Sequence, residues 1–119
     1  SEEDESSLDY FYFPKYLPVG FMVDEENTSK EKYFVRLKKG NEYFCISERI
    51  NSSNKQIRLD TENAKVMNID IEGNQGFYAE VEDKRAIYLD MGNISVSLYG
   101  NIGKGELFRM ARNLELLEK

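Results

Sequence analysis

The stretch VMNIDIEGNQGFYAEVEDKRAIYLDMGNISVSLY, residues 66–99, decides the fold of this chain. Apolar and polar residues alternate along it in short runs, and turn-forming residues separate the runs at 73–76, 83–84 and 91–93. Alternation of this kind is typical of antiparallel strands that bury one face and expose the other. The stretch therefore predicts consecutive hairpins, that is, a β-meander.

The same alternation assigns a face to each residue of the predicted strands. In the strand at 77–82, Phe77, Ala79 and Val81 are predicted to face the core. In the two strands that follow, the predicted core residues are Ile87, Leu89, Ile94, Val96 and Leu98. Four aromatic residues are predicted on outward faces: Phe34, Tyr78, Tyr88 and Tyr99. They form a ligand or partner patch, or a set of cross-strand pairs that stabilises the sheet, or they are buried beneath the segment at 11–13.

The sequence on either side of this stretch adds strands and a helix. Strands are predicted at 21–23, 33–38 and 43–48, whereas 10–20, with its two prolines, is predicted to be irregular or polyproline-like. After the meander, apolar residues at helical spacing form one stripe: Leu107, Met110, Ala111, Leu114 and Leu117. Glycines stand at 103 and 105, where Ser or Thr would cap a helix, so this helix is expected to depend on packing.

Together these elements predict an α+β fold: an antiparallel β-meander sheet of about six or seven strands with one C-terminal helix packed on one face. The length of 119 residues fits one domain. The net charge is −6, and four negative charges lie in residues 1–7, which leaves −2 for residues 8–119. We therefore expect an acidic linker or tail at 1–7 and a single domain at 8–119.

Charge and hydropathy argue against two classes of partner. The sequence has no basic stripe, so nucleic acid is not an expected partner. No apolar run approaches the roughly 18 residues of a membrane span, so this segment is not expected to insert into a membrane. The chain starts without Met in an acidic, Ser-rich stretch. We therefore expect it to be part of a longer protein, with a membrane anchor upstream.

The residues available for catalysis are few. The sequence has no His, which removes the commonest general base and the commonest transition-metal ligand. Its one cysteine, Cys45, lies in the apolar run 43–46 and is expected to be a buried structural thiol without an intrachain partner. We predict that the chain is not an enzyme and has no catalytic residue, no cofactor and no metal site.

Two further sites stay open as alternatives. Asp60, Glu62, Asp70 and Glu72 are carboxylates that could hold calcium, although their spacing does not match a calcium-binding loop. Residues 100–105 lie between a predicted strand and the predicted helix, where an anion could bind, but they lack a complete phosphate-loop pattern. Solvated carboxylates and a glycine-rich connection are the ordinary explanations.

Four segments carry a resemblance: YLPVGF at 16–21, DTENA at 60–64, IEGNQGFY at 71–78, and SLYGNI at 97–102. In order and spacing, over residues 14–116, the chain resembles a family of extracytoplasmic domains of unknown function from Gram-positive bacteria. Members of that family are the outer parts of single-span membrane proteins or lipoproteins, and some follow anti-sigma-factor-like cytoplasmic segments. The resemblance implies no catalytic residues.

This chain departs from the family pattern at two places. Residues 103–106 read GKGE where family members carry a Ser or Thr helix cap followed by acidic residues. Tyr88 stands where they often carry a Trp. The second departure weakens any inference that this strand carries a family-wide aromatic site.

These observations predict a non-enzymatic extracytoplasmic domain that binds or senses an unidentified ligand or protein at the cell envelope. It would be tethered through the upstream anchor. The alternative is a carrier or chaperone-like module that holds an apolar ligand such as a lipid between sheet and helix. A carrier would need an internal apolar cavity on the order of several hundred Å³. An enzyme, the third possibility, would need a cleft with convergent polar groups.

Overall fold

The computed structural model describes residues 8–51 and 64–119, so the predicted linker at 1–7 and most of the DTENA segment lie outside the described residues. The described residues form nine strands and one helix. The strands are β1 (Tyr10–Pro14), β2 (Met22–Thr28), β3 (Lys32–Lys39), β4 (Glu42–Ile50), β5 (Lys65–Ile71), β6 (Asn74–Val81), β7 (Lys84–Asp90), β8 (Ile94–Gly100) and β9 (Leu114–Glu118). The helix, α1, spans Lys104–Ala111. The predicted α+β class is confirmed.

Seven of the described strands form one antiparallel sheet, here called the main sheet, in the order β2-β3-β4-β8-β7-β6-β5. The hairpins β2-β3-β4 and the meander β5-β6-β7-β8 meet where β4 pairs with β8. Tight turns set the register of the hairpins. In the β5–β6 turn, Glu72 and Gly73 have φ values of 55° and 88°, and the Gly73 N–H donates to Asp70 Oδ1 at 3.0 Å.

One face of the main sheet is buried across its five inner strands, whereas the edge strands β2 and β5 are largely exposed, and this face is here called the covered face. Directly opposed residues of neighbouring strands share a face, so one register row runs across five strands through Val35, Ile46, Leu98, Ile87 and Tyr78. These side chains are at most 3% exposed. They form the centre of the hydrophobic core.

Two elements cover this face. Leu107, Met110 and Ala111 of α1 are buried, and the neighbouring Phe108 ring lies 5.3 Å from that of Tyr78. The second element is the two-stranded sheet of β1 and β9, here called the terminal ribbon. It packs through β1, where the Phe11 ring lies 4.3 Å from that of Tyr33. Helix and ribbon therefore lie on the same side of the main sheet.

The terminal ribbon corrects two predictions. The irregular segment predicted at 10–20 contains β1, and the predicted helical stripe breaks after Ala111, because Leu114 and Leu117 belong to β9. The helix ends where the N–H groups of Arg112 and Asn113 bond back to α1 carbonyls. The apolar spacing after position 111 fits a helix or a strand, and only the pairing of β9 with the distant β1 decides between them.

The prediction that Tyr78 faces outward is wrong, and so is the core assignment of Phe77, Ala79 and Val81. A two-residue turn pairs Met67 with Tyr78, so Tyr78 shares the covered face with the apolar residues of β5. Apolar residues occupy both faces of β6, so alternation within this strand alone is ambiguous. The two-residue length of the β5–β6 turn fixes the register of β6, so it was the signal that could have shown which face Tyr78 occupies.

Candidate functional site

The face of the main sheet opposite the core is here called the open face. The register places three of the four predicted patch residues on it: Phe34, Tyr88 and Tyr99. Tyr78 lies on the covered face instead, 3% exposed beneath α1. The open face also carries Phe77, which the sequence analysis had assigned to the core.

The aromatic residues of the open face stand on both sides of a shallow depression. One register row reads Phe77, Tyr88, Ser97, Ser47 and Phe34 across five strands. Its middle positions are serines, so small side chains lie between the aromatic groups. With strands about 4.8 Å apart, Tyr88 and Phe34 are separated by roughly 14 Å. Tyr88 stacks on Phe77 at 5.0 Å between ring centroids, so along this row the aromatic residues form one pair on β6 and β7 and a separate ring on β3.

Two grooves lie on this face, and Phe34 lines both of them. The larger, about 630 Å³, includes Lys38, Tyr43 and Tyr99 in its lining. The smaller, about 420 Å³, includes Lys32 and Arg49 beside polar groups. Tyr43 was not among the predicted patch residues, although it lies directly opposite Lys38 in the β3–β4 hairpin.

Positive charge is concentrated along this side of the open face. Lys32, Arg36 and Lys38 alternate with buried residues of β3, and Arg49 of β4 stands directly opposite Lys32. Arg36 is paired with Asp24 at 2.8 Å and with Glu25 at 3.0 Å. Within residues 8–51 and 64–119, Arg36 is the only one of these four cations found in a salt bridge. The other three cations are exposed.

Cys45 lies on the open face beneath the larger groove and is 3% exposed, so the prediction that its thiol is buried is confirmed. Burial raises the pKa of the thiol, and a hydrogen bond with Tyr99 offsets only part of this effect. Burial likewise raises the pKa of Tyr99 to about 12. Both groups are therefore neutral at physiological pH, which disfavours a nucleophilic role for the cysteine.

The most strongly perturbed carboxyl belongs to the covered face. Glu48 of β4 is 1% exposed between the main sheet and the terminal ribbon. Its Oε1 accepts the Tyr12 N–H at 2.7 Å, while its Oε2 has no hydrogen-bond partner among the described residues. Burial raises the pKa of Glu48 to about 8. Glu48 was not among the predicted site residues, although it alternates with the buried Phe44 and Ile46 on the same face of β4.

The residues of the two weaker alternatives have structural roles where they are described. Asp70 accepts hydrogen bonds from the Gly73 N–H and from Gln75, so it stabilises a turn. Asp60 and Glu62 lie outside the described residues. In the part of the chain that the structure describes, no group of three or more His, Cys, Asp or Glu residues is arranged to hold a metal ion.

The segment from 100 to 105 connects β8 to α1 through close packing. A Cβ on Gly100 would lie 2.2 Å from the Tyr43 carbonyl oxygen, so a larger residue does not fit. Asn101 Oδ1 accepts the Tyr43 N–H at 2.9 Å, and its Nδ2 donates to the Asn41 carbonyl at 2.9 Å. Gly103 begins the helix without a side-chain cap, as predicted. This geometry explains the SLYGNI segment as a structural junction.

The geometry defines an α+β domain with one covered and one open sheet face. A family model described as a domain of unknown function, DUF4367, matches residues 12–114. Because this match extends over most of the 119 residues, the chain belongs to that family. A search of the curated proteins finds no match. The predicted resemblance is thus confirmed at the level of a family of domains of unknown function.

The helix content bears on the membrane prediction. Within the described ranges, no helix combines the length and the apolar character that a bilayer crossing requires.

Proposed function

We propose that this chain is a non-enzymatic binding domain that recognises its ligand or protein partner through the open face of the main sheet. The observation that carries the proposal is the difference between the two faces. Helix and ribbon seal one face, whereas the other presents half-buried Phe34, Tyr88 and Tyr99 beside two grooves. Aromatic groups at a concave surface are typical of binding sites.

The chemistry of the titratable groups supports binding over catalysis. Next to the grooves, Cys45 and Tyr99 are held neutral by burial. The carboxyl whose pKa is raised most, that of Glu48, is enclosed on the opposite side of the sheet, where a substrate in the grooves does not reach it. The open face therefore offers contacts but no activated acid, base or nucleophile among the described residues.

We also propose that the domain works outside the cytoplasmic membrane of a Gram-positive bacterium, tethered through an upstream anchor. This part rests on the family resemblance of the four sequence segments and on the acidic stretch at 1–7, whose composition suits a linker. A connection to anti-sigma-like segments belongs to the same proposal.

The carrier alternative has less support. Ile87 and Leu98 of the sheet and Leu107 and Met110 of the helix are all 0% exposed, so side chains fill the space where a lipid would lie. The two grooves described above lie on the other side of the sheet. A lipid would have to separate α1 from the main sheet, which would expose this core.

An NMR titration of the ¹⁵N-labelled domain tests the binding function. The probes are soluble glycan-strand fragments, a lipid in micelles, and short peptides of acidic, basic and neutral composition. At least one probe is expected to shift amide signals of open-face residues such as Phe34 and Tyr99. Shifts confined to Leu107 and Met110 with the lipid would favour the carrier. The proposal is overturned if no probe shifts any amide signal, or if mass spectrometry shows that the domain converts a probe into a new product.

The location is tested on the natural full-length protein in intact cells. Protease added outside the cells is expected to remove this domain, while a cytoplasmic control protein stays intact. A domain that survives until the cells are lysed would contradict the extracytoplasmic part of the proposal, and it would leave the open-face binding test unaffected.

A further inference from the structure

The outward face of β3 carries a regular series of side chains. Every second residue from 32 to 38 points to the open face: Lys32, Phe34, Arg36 and Lys38. Arg49 adds a positive charge opposite Lys32. The whole chain has a net charge of −6, so this concentration of cations runs against the overall balance.

The salt bridges of Arg36 divide this series into two cationic ends and a middle that offers no free positive charge. Asp24 and Glu25 both pair with Arg36, so these three side chains together carry a net charge of −1, and the hydrogen bond with Asp24 also raises the pKa of the guanidinium. Phe34 lies next to this ion-paired group and lines both grooves. Lys32 with Arg49 forms one cationic end, in the smaller groove, and Lys38 forms the other, in the larger groove.

The spacing of these groups matches that of an extended peptide. Same-face side chains on a strand repeat about every 7 Å, so Lys32 and Lys38 are about 20 Å apart. An extended peptide lying along β3 has the same repeat. It would present one side chain to each position of the series.

The backbone of β3 cannot provide the recognition, because this strand is paired with β2 on one side and β4 on the other. A peptide on the open face must therefore be held by side chains. Polar side chains are available at both ends: Asn27 and Ser47 line the smaller groove, and Asn41 lines the larger one. These groups can hydrogen-bond a peptide backbone while the cations hold its carboxylates.

We propose, building on the binding function proposed above, that the open face binds an extended acidic peptide segment. One carboxylate lies over Lys32 and Arg49, an apolar side chain contacts Phe34, and a second carboxylate lies over Lys38. The recognised pattern is an acidic residue, an apolar residue two positions on, and an acidic residue six positions from the first. Charge complementarity selects an acidic partner, and the strand-matched spacing selects an extended one.

Fluorescence anisotropy with the labelled peptide Glu-Ser-Leu-Ser-Ser-Ser-Glu, and with its reversed sequence, tests this assignment. At least one of the two is expected to bind the full chain. The double variant Lys32→Gln/Arg49→Gln should weaken binding about tenfold, and Lys38→Gln about threefold, as expected for exposed charge pairs. Phe34→Ser should weaken it as well.

Lys84→Gln is the matched control, because Lys84 is exposed on the same face at β7, outside both grooves. It should leave the affinity unchanged. An equal loss with this variant, or equal binding of a peptide with both glutamates adjacent, would show unspecific charge attraction and overturn the proposal. The proposal is also overturned if inorganic polyphosphate binds and its affinity falls in the same variants by the same factors.

If the full chain binds neither peptide, the acidic partner is refuted. The binding function falls only if the NMR probes also fail on the open face.

Discussion

The two faces of the main sheet are built from the same strands, yet residues adjacent in sequence differ in how deeply they are buried. Tyr78, on the covered face, is 3% exposed beneath α1, whereas its neighbour Phe77 is only partly buried on the open face. Both residues are aromatic, so composition does not explain the difference. The covering elements do, because helix and ribbon pack on one side only. A sheet that is sealed on one side gains its stability there and leaves the other side available for binding.

The largest expected effect compares two tyrosines on opposite faces. Tyr78→Ala should cost about 3–5 kcal/mol, because it leaves a cavity in a closed core. Tyr88→Ala should cost about 1 kcal/mol, because its half-buried ring loses mainly its stacking on Phe77. Urea denaturation of both variants measures the difference. Equal losses would mean that the open face is covered too, and the comparison between the faces would fail.

The second prediction concerns the carboxyl group enclosed on the covered face. The pKa of Glu48 is about 8 in the folded chain against an ordinary 4.5, so the folded state holds a proton that the unfolded state has lost between these values. The stabilisation is therefore complete below pH 4.5 and is lost as pH rises to 8. At 1.36 kcal/mol per pKa unit, the loss is roughly 5 kcal/mol.

Glu48→Gln should remove this decline, so the variant should be more stable than the natural sequence at pH 8–9. Chemical denaturation over a pH series measures it. Glu42→Gln is the matched control, since Glu42 is exposed on the same strand and should leave the slope unchanged. If the free energy of unfolding depends on pH in the same way in Glu48→Gln and in the natural sequence, water reaches this side of the sheet.

The third prediction tests the support beneath the larger groove. Asn101→Ala removes the acceptor of the Tyr43 N–H and the donor to the Asn41 carbonyl, and it should cost about 1–3 kcal/mol. Asn41→Ala is the control, because only its main-chain oxygen takes part, and it should change stability by less than about 0.5 kcal/mol. Thermal unfolding compares the two variants. If the control is equally destabilised, the junction is not held by the Asn101 side chain.

The smallest effect is expected from the salt bridges on the open face. Arg36→Ala should cost less stability than Asn101→Ala, since its pairs with Asp24 and Glu25 are partly exposed. The cost should shrink in high salt, which a urea titration at two ionic strengths would show. A larger and salt-independent loss would mean that Arg36 is held in a drier environment than the structure gives it.

The family-like segments show how a sequence signature can be structural. A Cβ on Gly76 would lie 1.8 Å from the Tyr88 carbonyl oxygen, so this position requires glycine where two strands approach closely. Gly100 is required as a glycine for the same reason. The Asn101 side chain is hydrogen-bonded to the backbone of the neighbouring hairpin. These residues in the IEGNQGFY and SLYGNI segments are accounted for by turns and close packing. They predict the fold well, and they carry no information about a ligand.

The sequence analysis assigned part of the candidate site and missed part of it. Alternation in β3, β7 and β8 placed Phe34, Tyr88 and Tyr99 on the correct side, because the branched aliphatic residues of each of these strands all lie on the other face. The same reasoning failed for Tyr78, because β6 has apolar residues on both faces. Glu48 was not predicted because a carboxylate is expected in solvent, and only the distant strand β1, which bonds it through Tyr12, encloses it.

By itself the sequence determined what depends on near neighbours: the strands from 66 to 99, their turns, the start of the helix, and the α+β class. These follow from periodicity and turn chemistry within a few residues. Tertiary structure decided what depends on distant segments. The pairing of β1 with β9 turned a predicted helix end into a strand and enclosed Glu48. It also left the opposite face open, because burial is settled by whichever distant element packs against a surface.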